Sequence, residues 1–301
     1  MAKKNSRPVV SQVMREEDQE PSTRRHLLVD LEKELTRPVV SFFTSFSYPV
    51  MIEDKDADML EGILQKMDLS NGLTLIINSP GGDGLAAERI INLCRSYCKT
   101  GEYWTIVPGK AKSATTMICF GGSKIIMGPA SELGPIDPQL TTHEQGTTKW
   151  FSVYNIVKSY EDLFSRAVKE KGNLEPYLQQ LAKYDEREIK EFKAALSLSE
   201  DIAIKTLASG MMKGLSKENI KRKIKIFLTP ERTKTHGRPI YRDEAKQCGL
   251  NIESRDVKEN IWELVYELYI RTENFVSGRA SKTIESKNNS FFTVPPKGGK
   301  K

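Results

Sequence analysis

Residues 54–127 alternate between helical and strand-like patterns with short connections, and this alternation strongly constrains the fold. Helical segments such as 54–67 place their apolar side chains on one face, whereas the strands are short apolar runs. Strands separated by helices are typical of right-handed crossovers around a parallel sheet. The sequence therefore predicts an α/β fold. The predicted helices cover 54–67, 85–97 and 113–120, and the predicted strands cover 73–77, 103–107 and 123–127.

Two turns follow predicted strands and open predicted helices. Asn-Ser-Pro-Gly-Gly-Asp at 78–83 offers backbone N–H groups that no side chain covers, because two of its residues are glycines. Pro-Gly-Lys-Ala-Lys-Ser-Ala-Thr-Thr at 108–116 places Ser113 at a helix start, where free N–H groups and the helix dipole favour negative charge. Ligands bind at this edge of open α/β sheets.

A serine beside an anion-stabilising turn is the minimum requirement for acyl transfer. We therefore expect a serine hydrolase with Ser113 as its nucleophile. The structural alternative is that Ser113 only caps the helix that follows it.

The chain divides by composition into a main domain and two less ordered ends. Residues 1–36 are polar without clear periodicity and are expected to form a flexible N-terminal arm. The main domain is assigned to 37–255 and contains a charged helical insert at 150–226. A C-terminal helix is expected over 256–278. The basic segment 279–301 is expected to be a disordered tail.

Composition excludes several functional classes. The net charge of +6 does not indicate nucleic-acid binding, because 279–301 holds six Lys/Arg and one Glu and so accounts for +5 of it. No apolar run is long enough to cross a bilayer, and the N-terminus leads into charge, so we expect no membrane span and a cytoplasmic protein.

Cysteines and histidines indicate no metal site. The four cysteines lack zinc-site spacing and are interpreted as buried free thiols. The three histidines are far apart in sequence. No G-x-G-x-x-G turn is present, so we expect no metal and no organic cofactor.

At this point the motifs resemble a known family. Ser-Pro-Gly-Gly at 79–82 and Ala-Lys-Ser-Ala-Thr at 111–115 resemble the Clp-protease/crotonase fold. Gly-Pro-Ala-Ser-Glu-Leu-Gly-Pro-Ile-Asp-Pro-Gln at 128–139 is similar to the serine dehydrogenase proteinase family, relatives of the Clp proteolytic subunit and signal peptide peptidase A. Thr-His-Gly-Arg-Pro-Ile at 235–240 also resembles that family, and the resemblance covers about 48–253.

The resemblance implies a Clp-protease/crotonase-like ββα superhelix and a serine endopeptidase. It implies that Ser113 is the nucleophile and that the N–H groups of Gly82 and Ala114 form the oxyanion hole. It also implies a homo-oligomeric ring in which the helices of 150–226 mediate contacts between subunits. The sequence contains no ATPase motif, so an unfolding ATPase or activator would be a separate chain.

The general base remains open between three residues. Alignment with the Clp subunit puts Ile136 where that family has its histidine. His236, oriented by Asp137, would complete a rearranged triad. Lys158 is the alternative base, by resemblance to the Ser-Lys dyad of signal peptide peptidase A, and Lys205 is a third candidate.

Two other functions compete with peptide hydrolysis of a protein or peptide substrate. A crotonase-type enzyme acting on an acyl-CoA thioester would use the same paired N–H groups without a nucleophilic serine. A catalytically degenerate scaffold or adaptor would keep the fold after losing the base.

Overall fold

The computed structural model describes residues 8–47, 50–144 and 147–294. The helices are α1 (Val9–Val13), α2 (Ser22–Leu35), α3 (Asp54–Leu64), α4 (Gly84–Tyr97), α5 (Ala114–Gly121), α6 (Val153–Lys169), α7 (Glu175–Leu181), α8 (Glu186–Ala208), α9 (Lys217–Lys223), α10 (Lys225–Leu228), α11 (Pro230–Thr233), α12 (Arg242–Gln247) and α13 (Asn260–Gly278). The strands are β1 (Val39–Thr44), β2 (Leu73–Asn78), β3 (Tyr103–Val107), β4 (Lys110–Ala111), β5 (Lys124–Met127), β6 (Glu132–Leu133), β7 (Gln139–Glu144), β8 (Thr147–Ser152), β9 (Ile240–Tyr241), β10 (Ile252–Ser254), β11 (Lys282–Ser286) and β12 (Ser290–Thr293).

A mostly parallel sheet forms the centre of the molecule. Across the described ranges its strand order is β10-β5-β3-β2-β1-β11-β12. The strands from β10 to β1 pair in parallel, whereas β11 pairs antiparallel with β1 and β12 antiparallel with β11. The α/β prediction and the predicted alternation over 54–127 are confirmed, with element ends shifted by a few residues.

Helices cover both faces of this sheet because its inner strands are apolar on both sides. In β1, Val40 and Phe42 join the core under α3, α4, α5 and α8, whereas Val39 and Phe43 join the core under α2 and α13. Strands buried on both faces are typical of parallel sheets. The two turns that carry the candidate chemistry follow β2 and β3, so they lie at the carboxyl ends of two inner strands.

The C-terminal segment is part of the sheet, so the prediction of a disordered tail is wrong for residues 282–286 and 290–293. Two charges that looked solvated in the sequence are buried in ion pairs. Lys282 Nζ lies 2.7 Å from Asp56 Oδ2. Glu285 accepts two hydrogen bonds of 2.7 Å from Arg24. The predicted disorder of 295–301 lies outside the described residues.

The N-terminal segment also packs on the body, so the prediction of a flexible arm is wrong for α2. Its buried leucines contact the core beneath α13; they are Leu27, Leu28, Leu31 and Leu35. Charged residues lie between these leucines, so the narrow apolar face of α2 was not recognised as a helical pattern in the sequence. Residues 1–7 lie outside the described residues.

The segment 150–226 is helical from Val153 onward, as its pattern predicted. It follows a hairpin formed by β7 and β8. Helix α8 reaches the main core through Ile202, Ala203 and Leu207, which join the same apolar cluster as Met117 of α5. The segment therefore packs against α5, the helix that follows Ser113.

Candidate active site

Ser113 lies between β4 and α5 in a backbone conformation that non-glycine residues rarely adopt. Its φ is 50° and its ψ is −122°, and its side chain makes no capping hydrogen bond to α5. Its carbonyl accepts the N–H of Thr116 at 2.8 Å, so only the backbone of Ser113 takes part in the start of the helix. Strained backbone of this kind clusters at functional sites. The helix-cap alternative is therefore not the role that the Ser113 side chain takes.

The glycine turn approaches Ser113 so closely that side chains would not fit. A Cβ on Gly81 would lie 2.7 Å from Ser113 Cβ and 2.7 Å from the Lys112 carbonyl oxygen. A Cβ on Gly82 would lie 2.3 Å from the Ile52 nitrogen. Gly81 is thus required for the contact between the two turns, and Gly82 for the contact of the glycine turn with Ile52.

The backbone N–H groups of Gly82 and Ala114 are available to a ligand. Ile52 donates to the Gly81 carbonyl at 2.8 Å and accepts from the Asp83 N–H at 2.9 Å. In such a parallel bridge the intervening residue, Gly82, directs its own N–H away from Ile52. Ala114 is the first residue of α5, where an N–H has no acceptor within the helix. Neither N–H donates a hydrogen bond within the described ranges.

A cavity of about 710 Å³ opens in front of these groups. Ser113, Gly82, Ala114 and His236 line it together. Much of the remaining wall is apolar, formed by Phe46, Met51, Met117, Ile136 and Trp150. Ile136, at the position where the Clp subunit has its histidine, is buried and contributes only an apolar surface.

His236 and Asp137 contact each other although 99 residues separate them in the chain. His236 Nδ1 lies 2.8 Å from Asp137 Oδ1, and the Asp137 side chain is 0% exposed while that of His236 is 21% exposed. Because an ionised carboxylate can only accept, Nδ1 carries the imidazole proton and Nε2 is left as an acceptor. This is the orientation that a histidine base requires.

A small sheet brings the three residues together. Strand β4 leads to Ser113, β6 leads to Asp137, and β9 follows the loop that holds His236. β6 pairs in parallel with β4 and antiparallel with β9. The order β4-β6-β9 therefore places all three candidate residues at one end of this sheet.

The second oxygen of Asp137 has two donors that the sequence analysis missed. The Ser152 hydroxyl donates to Oδ2 at 2.8 Å, and the Gln139 amide donates to the same atom at 3.1 Å. Serine and glutamine are common polar residues, so nothing in their types or spacing singled them out. They converge only because β7 and β8 pair with Gln139 opposite Ser152.

The two candidate lysines lie elsewhere. Lys158 is half exposed, with its Nζ 3.1 Å from Asp162 Oδ1. The hydrogen bond to Asp162 raises the pKa of Lys158, whereas a lysine base requires a lowered pKa. Lys205 is exposed and pairs with Glu88 at 2.8 Å. Neither lysine lines the cavity in front of Ser113.

Comparison with protein families identifies the family to which the chain belongs. The model of a family described as ClpP-like SDH-type serine proteinase matches residues 12–163. The chain belongs to this family. The ClpP-like SDH-type match contains Ser113, Asp137 and both glycines of the turn, and it ends before His236. The resemblance identified from the sequence motifs is confirmed.

Two similar proteins come from the archaeon Methanocaldococcus jannaschii, and both are uncharacterised. One is 28% identical over 226 residues, which cover 74% of this chain and 68% of that protein. The other is 24% identical over 267 residues, which cover 85% of this chain and 75% of that protein. They extend the similarity of this ClpP-like SDH-type chain beyond the family match.

The described ranges lack two further features. They contain no helix both long and apolar enough to cross a membrane. They also contain no group of three or more His, Cys, Asp or Glu side chains that could hold a metal ion.

Proposed function

We propose that this protein hydrolyses peptide bonds through an acyl-enzyme on Ser113, with His236 as general base and Asp137 as its orienting carboxylate. The observation that carries the proposal is the 2.8 Å contact between His236 Nδ1 and buried Asp137, at the cavity that Ser113 lines. Gly82 and Ala114 supply the oxyanion hole. The strained backbone of Ser113 supports its role as nucleophile.

The proposed mechanism gives each of these groups one task. His236 Nε2 takes the Ser113 hydroxyl proton as Oγ attacks the carbonyl carbon, and Asp137 stabilises the imidazolium that forms. The N–H groups of Gly82 and Ala114 hold the oxyanion. His236 then protonates the leaving amine, and a water molecule repeats the sequence to release the acyl group.

The substrate is proposed to be a protein or peptide in extended form. The Gly82 N–H points away from Ile52, so an extended chain at this turn gains backbone hydrogen bonds as an added strand does. Apolar side chains on the cavity wall favour apolar substrate residues near the scissile bond. Any ATPase or activator that delivers the substrate would be a separate chain.

Fluorophosphonate labelling, measured by intact mass, tests this function. We expect one label on the wild type and on Lys158→Ala, and none on Ser113→Ala. His236→Ala and Asp137→Asn should label at least a hundredfold more slowly, because the base is lost or held in the wrong tautomer. Hydrolysis of a fluorescent casein should follow the same order.

Three results would contradict the proposal. Labelling that survives His236→Ala but is lost in Lys158→Ala would indicate a Ser-Lys dyad. An unlabelled wild type would indicate a scaffold that lacks an activated serine. Specific binding of an acyl-CoA by that unlabelled protein would indicate a crotonase-type enzyme.

A further inference from the structure

We infer that the base of the β7–β8 hairpin is a positioning clamp in which Ser152 and Gln139 fix the Asp137 carboxylate and, through it, the His236 imidazole. The inference rests on the proposed Ser113–His236–Asp137 function. Neither the family match nor the sequence motifs assign the hairpin a part in the chemistry.

The two donors come from opposite strands of the hairpin. Gln139 is the first residue of β7, Ser152 is the last residue of β8, and the two face each other in the register. Both donate to Oδ2 of Asp137, at 3.1 Å and 2.8 Å. The hairpin therefore has to be closed at its base for both hydrogen bonds to form.

The carboxylate depends on these donors because of its burial. Its side chain is 0% exposed, and its partners in the described part of the chain are the imidazole, a hydroxyl and an amide. A buried carboxylate without a cation is costly unless hydrogen bonds satisfy its oxygens. Because two donors hold Oδ2, the carboxylate group is fixed in one orientation. In that orientation Oδ1 faces His236 Nδ1.

Ser152 links the clamp to the helical segment that follows. Its oxygen accepts the Asn155 N–H at 3.4 Å as the N-cap of α6, while its hydroxyl proton goes to Asp137. Trp150 and Asn155, on either side of it, line the cavity in front of Ser113. A displacement of the hairpin or of α6 would thus change both the cavity wall and the alignment of the base.

Two measurements on the full chain test the clamp. The first is the second-order rate constant for labelling by a fluorophosphonate between about pH 5 and pH 9. The second is the 15N NMR signature of the His236 ring, assigned by comparison with His236→Gln, which reports the fraction of neutral imidazole that carries its proton on Nδ1. The second measurement does not require activity.

Ser152→Ala and Gln139→Met should each slow labelling by about 10- to 100-fold, as expected when a hydrogen bond to a charged group is lost. Each should also lower the Nδ1-protonated fraction of His236. Ser152→Thr keeps the hydroxyl and should restore both values toward those of the wild type. Ser216→Ala, which removes a comparable N-cap from α9, should leave both unchanged.

The outcomes separate the clamp from the catalytic proposal. If Ser152→Ala and Gln139→Met leave the labelling rate and the tautomer at wild-type values, the clamp is overturned. If the wild type is unlabelled but both variants still shift the tautomer, the clamp stands and the proposed hydrolase does not. If Ser152→Ala fails to fold, Gln139→Met, which keeps the cap of α6, decides between these outcomes.

Discussion

Gly82 has no room for a side chain, since a Cβ would lie 2.4 Å from the Ile52 carbonyl oxygen as well as close to its nitrogen. Ile52 is hydrogen-bonded on both sides to this turn, so neither backbone can move without breaking a bond. At this position a single methyl group therefore displaces the N–H group proposed to bind the oxyanion.

Gly82→Ala should lower the fluorophosphonate labelling rate by about 10²- to 10³-fold, the usual effect of losing one oxyanion donor. Gly214→Ala is the matched control, because Gly214 also has a positive φ, of 90°, but nothing lies within 4 Å of its added Cβ. The control should cost about 1 kcal/mol of stability and leave labelling intact. Equal labelling by both variants would argue against Gly82 in the oxyanion hole.

Glu273 connects the back of the same turns to α13. Asn78 accepts the Lys110 N–H at 2.7 Å and donates to Glu273 Oε2 at 2.9 Å. Burial raises the pKa of Glu273 above its ordinary value of 4.5. The folded protein therefore binds this proton more tightly than the unfolded chain, and the resulting stability is lost as the pH rises through the folded pKa.

Glu273→Gln stays neutral and does not suffer this loss. Its Tm, taken relative to the wild type, should therefore rise as the pH is increased above 4.5 and level off once the pH has passed the folded pKa of Glu273. Exposed Glu218 provides the control, and the Tm difference of Glu218→Gln should change little across the same range. If the Tm of Glu273→Gln relative to the wild type fell as the pH rises, burial would not be the main influence on the pKa of Glu273.

A buried ion pair connects strand β11 with the segment that pairs with Gly82. Lys282 Nζ contacts Asp56 Oδ2 at 2.7 Å and the Met51 carbonyl at 3.0 Å, and Met51 precedes the Ile52 that pairs with Gly82. Both side chains of the ion pair are almost fully buried. Removing one partner leaves an uncompensated charge inside the protein.

Lys282→Met should lower the free energy of unfolding by about 3–5 kcal/mol, measured by urea denaturation. Lys287→Met breaks a pair with Glu32 in which the lysine is 45% exposed, and it should cost less than about 1 kcal/mol. If the two variants proved equally stable, the pair with Asp56 would not be what holds β11 in the sheet.

The elements that sequence predicted well are those whose signals are local. The helices and strands of 54–127 follow from apolar periodicity and short buried runs, and the motifs at 79–82 and 111–115 identified Ser113 and its turn. Strand β11 was missed because the partners that neutralise Lys282 and Glu285 lie more than 200 residues away. The contact between His236 and Asp137 likewise depends on the pairing of β6 with β9, which no local pattern encodes.

At the scale of the whole molecule, several exposed apolar side chains of the described residues lie on the helices after the hairpin. Phe164 and Val168 of α6 are 51% and 70% exposed, and Leu178 of α7 is 53% exposed. Phe164 and Val168 are four residues apart and so share one face of α6, and contiguous exposed apolar surface is typical of contacts between proteins. They support the proposal that the chain assembles into a homo-oligomer through this segment.

The double variant Phe164→Glu, Val168→Glu should shift the assembly toward monomer, because charges in the interface would lose their hydration without gaining partners. Native mass spectrometry measures the stoichiometry. Val257→Glu, at an exposed apolar residue between β10 and α13 and outside this segment, should leave the assembly as it is. A wild-type protein that is monomeric at micromolar concentration would refute the oligomer.

The position of β1 between β2 and β11 has a consequence for biosynthesis. During translation β2 is made soon after β1, but β1 keeps an open edge until residues 282–286 have left the ribosome. Ser113 is likewise made long before His236, so the nascent chain carries the proposed nucleophile without its proposed base. Closure of the sheet and assembly of the proposed triad are thus both late events, and a partly made chain has neither.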